Sequence, residues 1–266
     1  MSLVDALYPQ HRPPSREAYP AGPQPVTLIV CLPPDVRRHF VLVVADLIER
    51  LRPHVALPTG LLGGHFPLWR QPDATESALL VLAQPMPDTP GMIWCAGGPV
   101  GLLDLAGTAA RLRAQAPRDL DDWHTIVAGT EPATAWWHYL DAHHADPDGY
   151  PLDRALAEFA AQPRVAAMAD HNDRAAGSEV WYPADMYGPG LEALHAGVDE
   201  LADYQAGLVA FADGLVTLDG QLLIPSFTPV LVEQTLAERQ VYHDRARRYV
   251  AGLDPTTLLV AARTAR

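Results

Sequence analysis

Histidine and aspartate crowd into one stretch of this chain. Residues 136–150 read WWHYLDAHHADPDGY, and residues 169–174 read ADHNDR. On a helix, His138 and Asp141 stand at i, i+3, as do Asp141 and His144, so the three share a broad face. His171 and Asp173 fall where the following helix is expected to end. Neutral imidazoles with carboxylate oxygens suit Zn2+ or non-haem Fe2+, and two histidines plus one carboxylate leave a position open for water or oxygen. The pattern makes His138, Asp141, His144, His171 and Asp173 candidate ligands. The expectation is a metal-assisted enzyme, hydrolytic or oxygen-dependent, acting on a small-molecule substrate. The same residues also suit helix ends, where histidine is favoured and Asp-Pro-Asp-Gly is turn chemistry.

A second candidate needs no metal. The segment VTLIVCLPPDVRRHFVLVVADLIERLRP (26–53) resembles the opening strand and helix of the two-histidine phosphoesterases, which use two His-x-Thr or His-x-Ser strands. The resemblance implies that His65 and His124 act as general base and general acid. The corresponding stretches here are His65-Phe66-Pro67 and His124-Thr125-Ile126, and neither has the hydroxyl two places on. A third candidate is the turn expected at Gly97-Gly98-Pro99, whose amides would face an anion at a helix start, with Cys95 just before it as a nucleophile partnered by His124. Small residues also fit such a turn for steric reasons alone. Glu179, Trp181, Tyr182, Asp185 and Tyr187 form an aromatic and acidic loop that would line a pocket or pack as a rigid connection.

Composition narrows these chemistries. The formal net charge is −13, from 19 basic and 32 acidic residues, so nucleic acid is not an expected partner. Every basic residue is arginine. That excludes a Schiff-base lysine, a pyridoxal phosphate anchor and a P-loop nucleotide site. The two cysteines, Cys31 and Cys95, are too few for a disulfide framework, and no apolar run reaches the ~20 residues of a membrane span. A cytoplasmic protein without membrane contact is expected. Arg245, Arg247 and Arg248 read as a solvated helix face.

The elements that must position these residues follow from pattern. Six prolines between residues 5 and 25 predict an extended arm over 1–25, either a frayed tail or a strap that joins a homo-oligomer. Strands are expected at 26–32, 77–85, from 92, and at 121–129, with helices from Asp35 to Leu51 and from about 102. The second half reads as helices over 134–144, 152–162, 164–173, 190–214 and 230–252. Asp219-Gly220 predicts a two-residue hairpin turn within 215–224. The strand at 256–262 needs a sheet to join. The expected fold is α+β, or layered α/β, with a mixed sheet of about four to five strands and a largely helical second half. A single globular domain over 26–266 is expected: a strand and helix layer (26–130), a helical cap (131–252), and the 256–262 strand returning to the sheet. A non-catalytic binding or assembly protein using the arm is the remaining functional alternative.

Overall fold

The computed structural model describes residues 27–51, 60–62, 64–85, 91–174, 188–225 and 235–264. The proline-rich arm and the 179–187 loop lie outside them. The fold is α+β. Contacts divide the chain into two compact units. One, here the helical unit, takes in 113–204 and 230–237. The other, the sheet unit, takes in 23–112, 205–229 and 238–266.

Among the described residues the main sheet has six strands: β1 (Thr27–Leu32), β2 (Gly60–Leu62), β6 (Gly97–Pro99), β7 (Gly214–Val216), β8 (Leu222–Leu223) and β9 (Leu258–Thr264). The order is β2-β9-β1-β7-β8, and β6 pairs with β9 beside β2. β1 runs parallel to β7 and antiparallel to β9, with Val30 opposite both Val216 and Val260. The last strand, β9, thus pairs with the first, β1. Alternation explains the unbroken apolar run of β1. Leu28, Val30 and Leu32 enter one core with Val44, while Ile29 and Cys31 enter another with Phe211, Tyr242 and Val250. A smaller three-stranded sheet orders β3 (Phe66–Leu68), β5 (Ile93–Cys95) and β4 (Gln84–Pro85).

Several sequence expectations are corrected. The helix expected from Asp35 divides into a 3-10 turn, Pro34–Arg38, and α1 (Phe40–Leu51). Most of 77–85 is not strand. Asp73 caps a short helix, α2 (Ala74–Ser77), through a reciprocal capping box with Glu76, and only β4 remains extended. Gly97-Gly98-Pro99 is not a turn but strand β6. A Cβ on Gly97 would lie 2.1 Å from the Leu259 carbonyl oxygen, so glycine allows β6 to approach β9.

The expected strand at 121–129 is helical. Helix α3 (Leu105–Ile126) runs through Pro117. Leu112, Ala116, Asp119, Trp123 and Val127 are all buried at helical spacing, so the buried stripe carries the helix past a residue that ordinarily kinks or ends one.

The helical unit continues with α4 (Trp136–Ala145), α5 (Leu152–Ala160), α6 (Pro163–Arg174) and α7 (Pro189–Ala196). The single helix expected over 190–214 is two, because Gly197 at φ +125 separates α7 from α8 (Val198–Phe211). Helix α9 (Leu236–Ala251) precedes β9. The hairpin forms with a longer loop than expected. Thr217 donates its backbone N–H to the Gln221 carbonyl at 2.9 Å, and Gly220 sits at φ +81. Among the described residues, no helix is long and apolar enough to cross a membrane.

Candidate functional site

Helix α4 buries Trp136 and Leu140, one turn apart, and Trp136 meets Phe159 edge-on at 5.4 Å. That packing directs His138, Asp141 and His144 outward, and all three are exposed. Their neighbour His143 is half-buried and its Nδ1 lies 3.0 Å from the Tyr150 carbonyl oxygen. His171 is half-buried on α6, and the side chain of Asp173 lies outside the described residues. Among the described residues, no three His, Cys, Asp or Glu side chains form a group that could hold a metal ion.

His65 and His124 have unlike settings. His65 is buried in the sheet unit, with its backbone N–H donated to the Cys95 carbonyl at 2.9 Å and its ring edge-on to Phe66. His124 is exposed near the end of α3 in the helical unit, where the resemblance implied a strand. Cys95 is fully buried against the Phe66 carbonyl, and burial pushes its thiol up to about 12. A thiol held protonated in this way is a core group and not a nucleophile. The anion turn expected at Gly97 is lost with its reassignment to β6.

The sheet unit has a different buried polar group. Arg239, 2% exposed, pairs with Asp213 at 3.1 Å and donates to the Ala212 carbonyl. Asp213 also accepts the Thr27 N–H at 2.9 Å, tying the start of β1 to the turn before β7. Tyr242 donates its hydroxyl to the Phe211 carbonyl at 2.6 Å. His243 lies against Gly207, where an added Cβ would fall 2.0 Å from Nδ1. Burial, then the charges of Arg239 and Arg247, push its imidazole down to about 3. These groups are embedded among backbone carbonyls and core side chains, which suits them to structure.

The helical unit holds an arrangement that sequence reasoning missed. Arg164, in the first turn of α6, stacks its guanidinium over the Trp123 ring at 5.5 Å. Its Nε donates to the Thr130 hydroxyl at 3.2 Å and its Nη2 to the Thr130 carbonyl at 3.0 Å. Its Nη1 lies 3.3 Å from Nε2 of His195 in the last turn of α7. Trp123 is buried, donates to the Met168 sulfur, and meets the His195 ring edge-on at 5.3 Å. The Thr130 hydroxyl is itself committed as a donor to the Val127 carbonyl at 2.6 Å. Burial and then the Arg164 charge lower the His195 pKa, which favours the neutral ring that accepts from arginine.

Arg164 differs in its partners from the ion-paired arginines. Arg113, Arg154, Arg239 and Arg247 each meet a carboxylate, at 2.7, 2.8, 3.1 and 2.6 Å. Arg164 meets a hydroxyl, a carbonyl, an imidazole and an indole face, all neutral. His124, a sequence candidate whose ring lies 5.0 Å from Trp123, stands at the edge of this group. Compared with known proteins, the chain matches no family model, no curated protein and no solved structure.

Proposed function

We propose that the protein binds a small molecule on its helical unit, with Arg164 as the recognition residue. The observation that carries this reading is a half-buried guanidinium fixed on three sides by neutral partners. A charge removed partly from water is normally compensated by an opposite charge. Here Trp123 fixes the plane of the guanidinium and Thr130 fixes one edge, so the group is oriented before any ligand arrives. Preorganisation of this kind removes much of the ordering cost of binding. Recognition, and not turnover, is what these groups support, since Thr130 is already committed as a donor. Metal-assisted chemistry at His138, Asp141 and His144 rests on sequence spacing alone.

The test is a fragment screen followed by the Arg164 side-chain and His195 ring signals in NMR spectra. Ligands that shift both signals, and whose shifts vanish in Arg164→Gln, support the reading. A broad screen that leaves both signals unmoved refutes it.

A further inference from the structure

From the donor geometry we infer that the ligand of this site presents an oxyanion, a carboxylate or a phosphate, to the end of the Arg164 guanidinium. The inference rests on the binding role proposed above and specifies the chemistry of the ligand. A guanidinium has five N–H donors and no acceptor. Thr130 takes the donor on Nε and one on Nη2, and His195 faces one on Nη1. One N–H is left on each terminal nitrogen. With Thr130 on the Nε/Nη2 edge, the remaining Nη2 N–H points off the end of the group; paired there with an Nη1 N–H it matches the spacing of two oxygens on one carboxylate or phosphate, which is why arginine grips such groups in a fork.

Charge points the same way. A neutral ligand would satisfy the two donors and leave the positive charge as it is, whereas an oxyanion does both. His195 adds to the fit. With its Nε2 accepting from Arg164, the neutral ring carries its proton on Nδ1 and adds no positive charge that would compete for the anion. The long-range field of the chain opposes anions, given a net charge of −13. Selectivity must then come from short-range hydrogen bonds, so the ligand is expected to need the fork and not merely a basic surface.

The experiment titrates the full chain with sodium phosphate, sodium acetate and, as a neutral isostere of acetate, acetamide at constant ionic strength. The readouts are the Arg164 Nε–H and His195 ring signals. Saturable shifts with phosphate or acetate, and none with acetamide, are expected, and the stronger of the two anions identifies the source. Arg164→Gln should weaken binding about tenfold or more, because hydrogen bonds from a charged donor are each worth about 1.5–3 kcal/mol, while Arg164→Lys keeps the charge, loses the fork and falls between. If acetamide or neutral fragments shift the signals and neither anion does, the oxyanion inference fails and the binding role stands. If nothing shifts them, both fail. Should Arg164→Gln not fold, the wild-type titration decides alone: equal response to acetate and acetamide overturns the inference.

Discussion

Acidification should destabilise the sheet unit through one residue, His243. Its ring is 2% exposed, lies against Gly207, and has Arg239 and Arg247 on the same helix adding repulsion to any proton. The folded pKa is pushed from 6.5 to about 3, whereas the unfolded chain titrates near the ordinary value. Below pH 6.5 the unfolded state therefore binds a proton that the folded state refuses, and stability falls with pH until the folded ring also protonates near pH 3. Each pH unit in that window costs about 1.4 kcal/mol. At pH 5 the loss from this group is about 2 kcal/mol, and its limit near pH 3 is about 5 kcal/mol. The assay is urea denaturation of wild type and His243→Leu at pH 7.5, 6.5, 5.5 and 5.0. Whatever the leucine variant loses at pH 7.5, the gap between the proteins should shift by about 2 kcal/mol in its favour at pH 5. Parallel pH profiles, or a His243 signal titrating near 6.5, would refute the reasoning.

Three further outcomes follow from other contacts. Asp213→Asn leaves the buried Arg239 charge without its carboxylate and should cost about 3–5 kcal/mol, read as a fall in urea midpoint. Gly97→Ala places a methyl group against the Leu259 carbonyl and should destabilise by about 1–3 kcal/mol or more, with loss of hydrogen-exchange protection across β6 and β9. Both thiols are buried and pushed up to about 12, so a thiol reagent at pH 8 should leave the native protein unlabelled and modify Cys31 and Cys95 only in denaturant.

The parts of the fold legible in sequence are those whose pattern and burial coincide. β1 has a β-branched apolar run between breakers, and both its faces are buried, so the run itself identifies it. The same holds for β9 and for α6, whose Val165 and Met168 are buried. Misreadings arose where one residue type serves two conformations. The segment 121–129 looks like a strand but continues a helix held by buried residues, and Gly97 looks like a turn but is a contact point between strands. Gly197 shows the reverse error. The apolar face continues past it, so periodicity alone joins two helices that its positive φ separates. The histidines drew attention by number, yet packing of Trp136 and Leu140 decides their orientation, and that depends on contacts far along the chain. Arg164 left one faint trace: an arginine in the first turn of a helix runs against the macrodipole preference. Nothing local in the sequence linked it to Thr130 and His195, which lie 34 and 31 residues away.

The placement of β9 also sets an order on folding during synthesis. β1, β2 and β6 all pair with β9, yet they leave the ribosome long before residues 258–264 exist. Until then the nascent chain carries strands with open hydrogen-bonding edges, and the apolar β1 is the most adhesive of them. Completion waits on a pairing between residues more than 200 positions apart, such as Leu28 with Ala262, a slow kind of closure. Production of this protein should therefore be sensitive to translation rate and to holding chaperones, and truncation within β9 should yield aggregates in place of a shorter folded sheet.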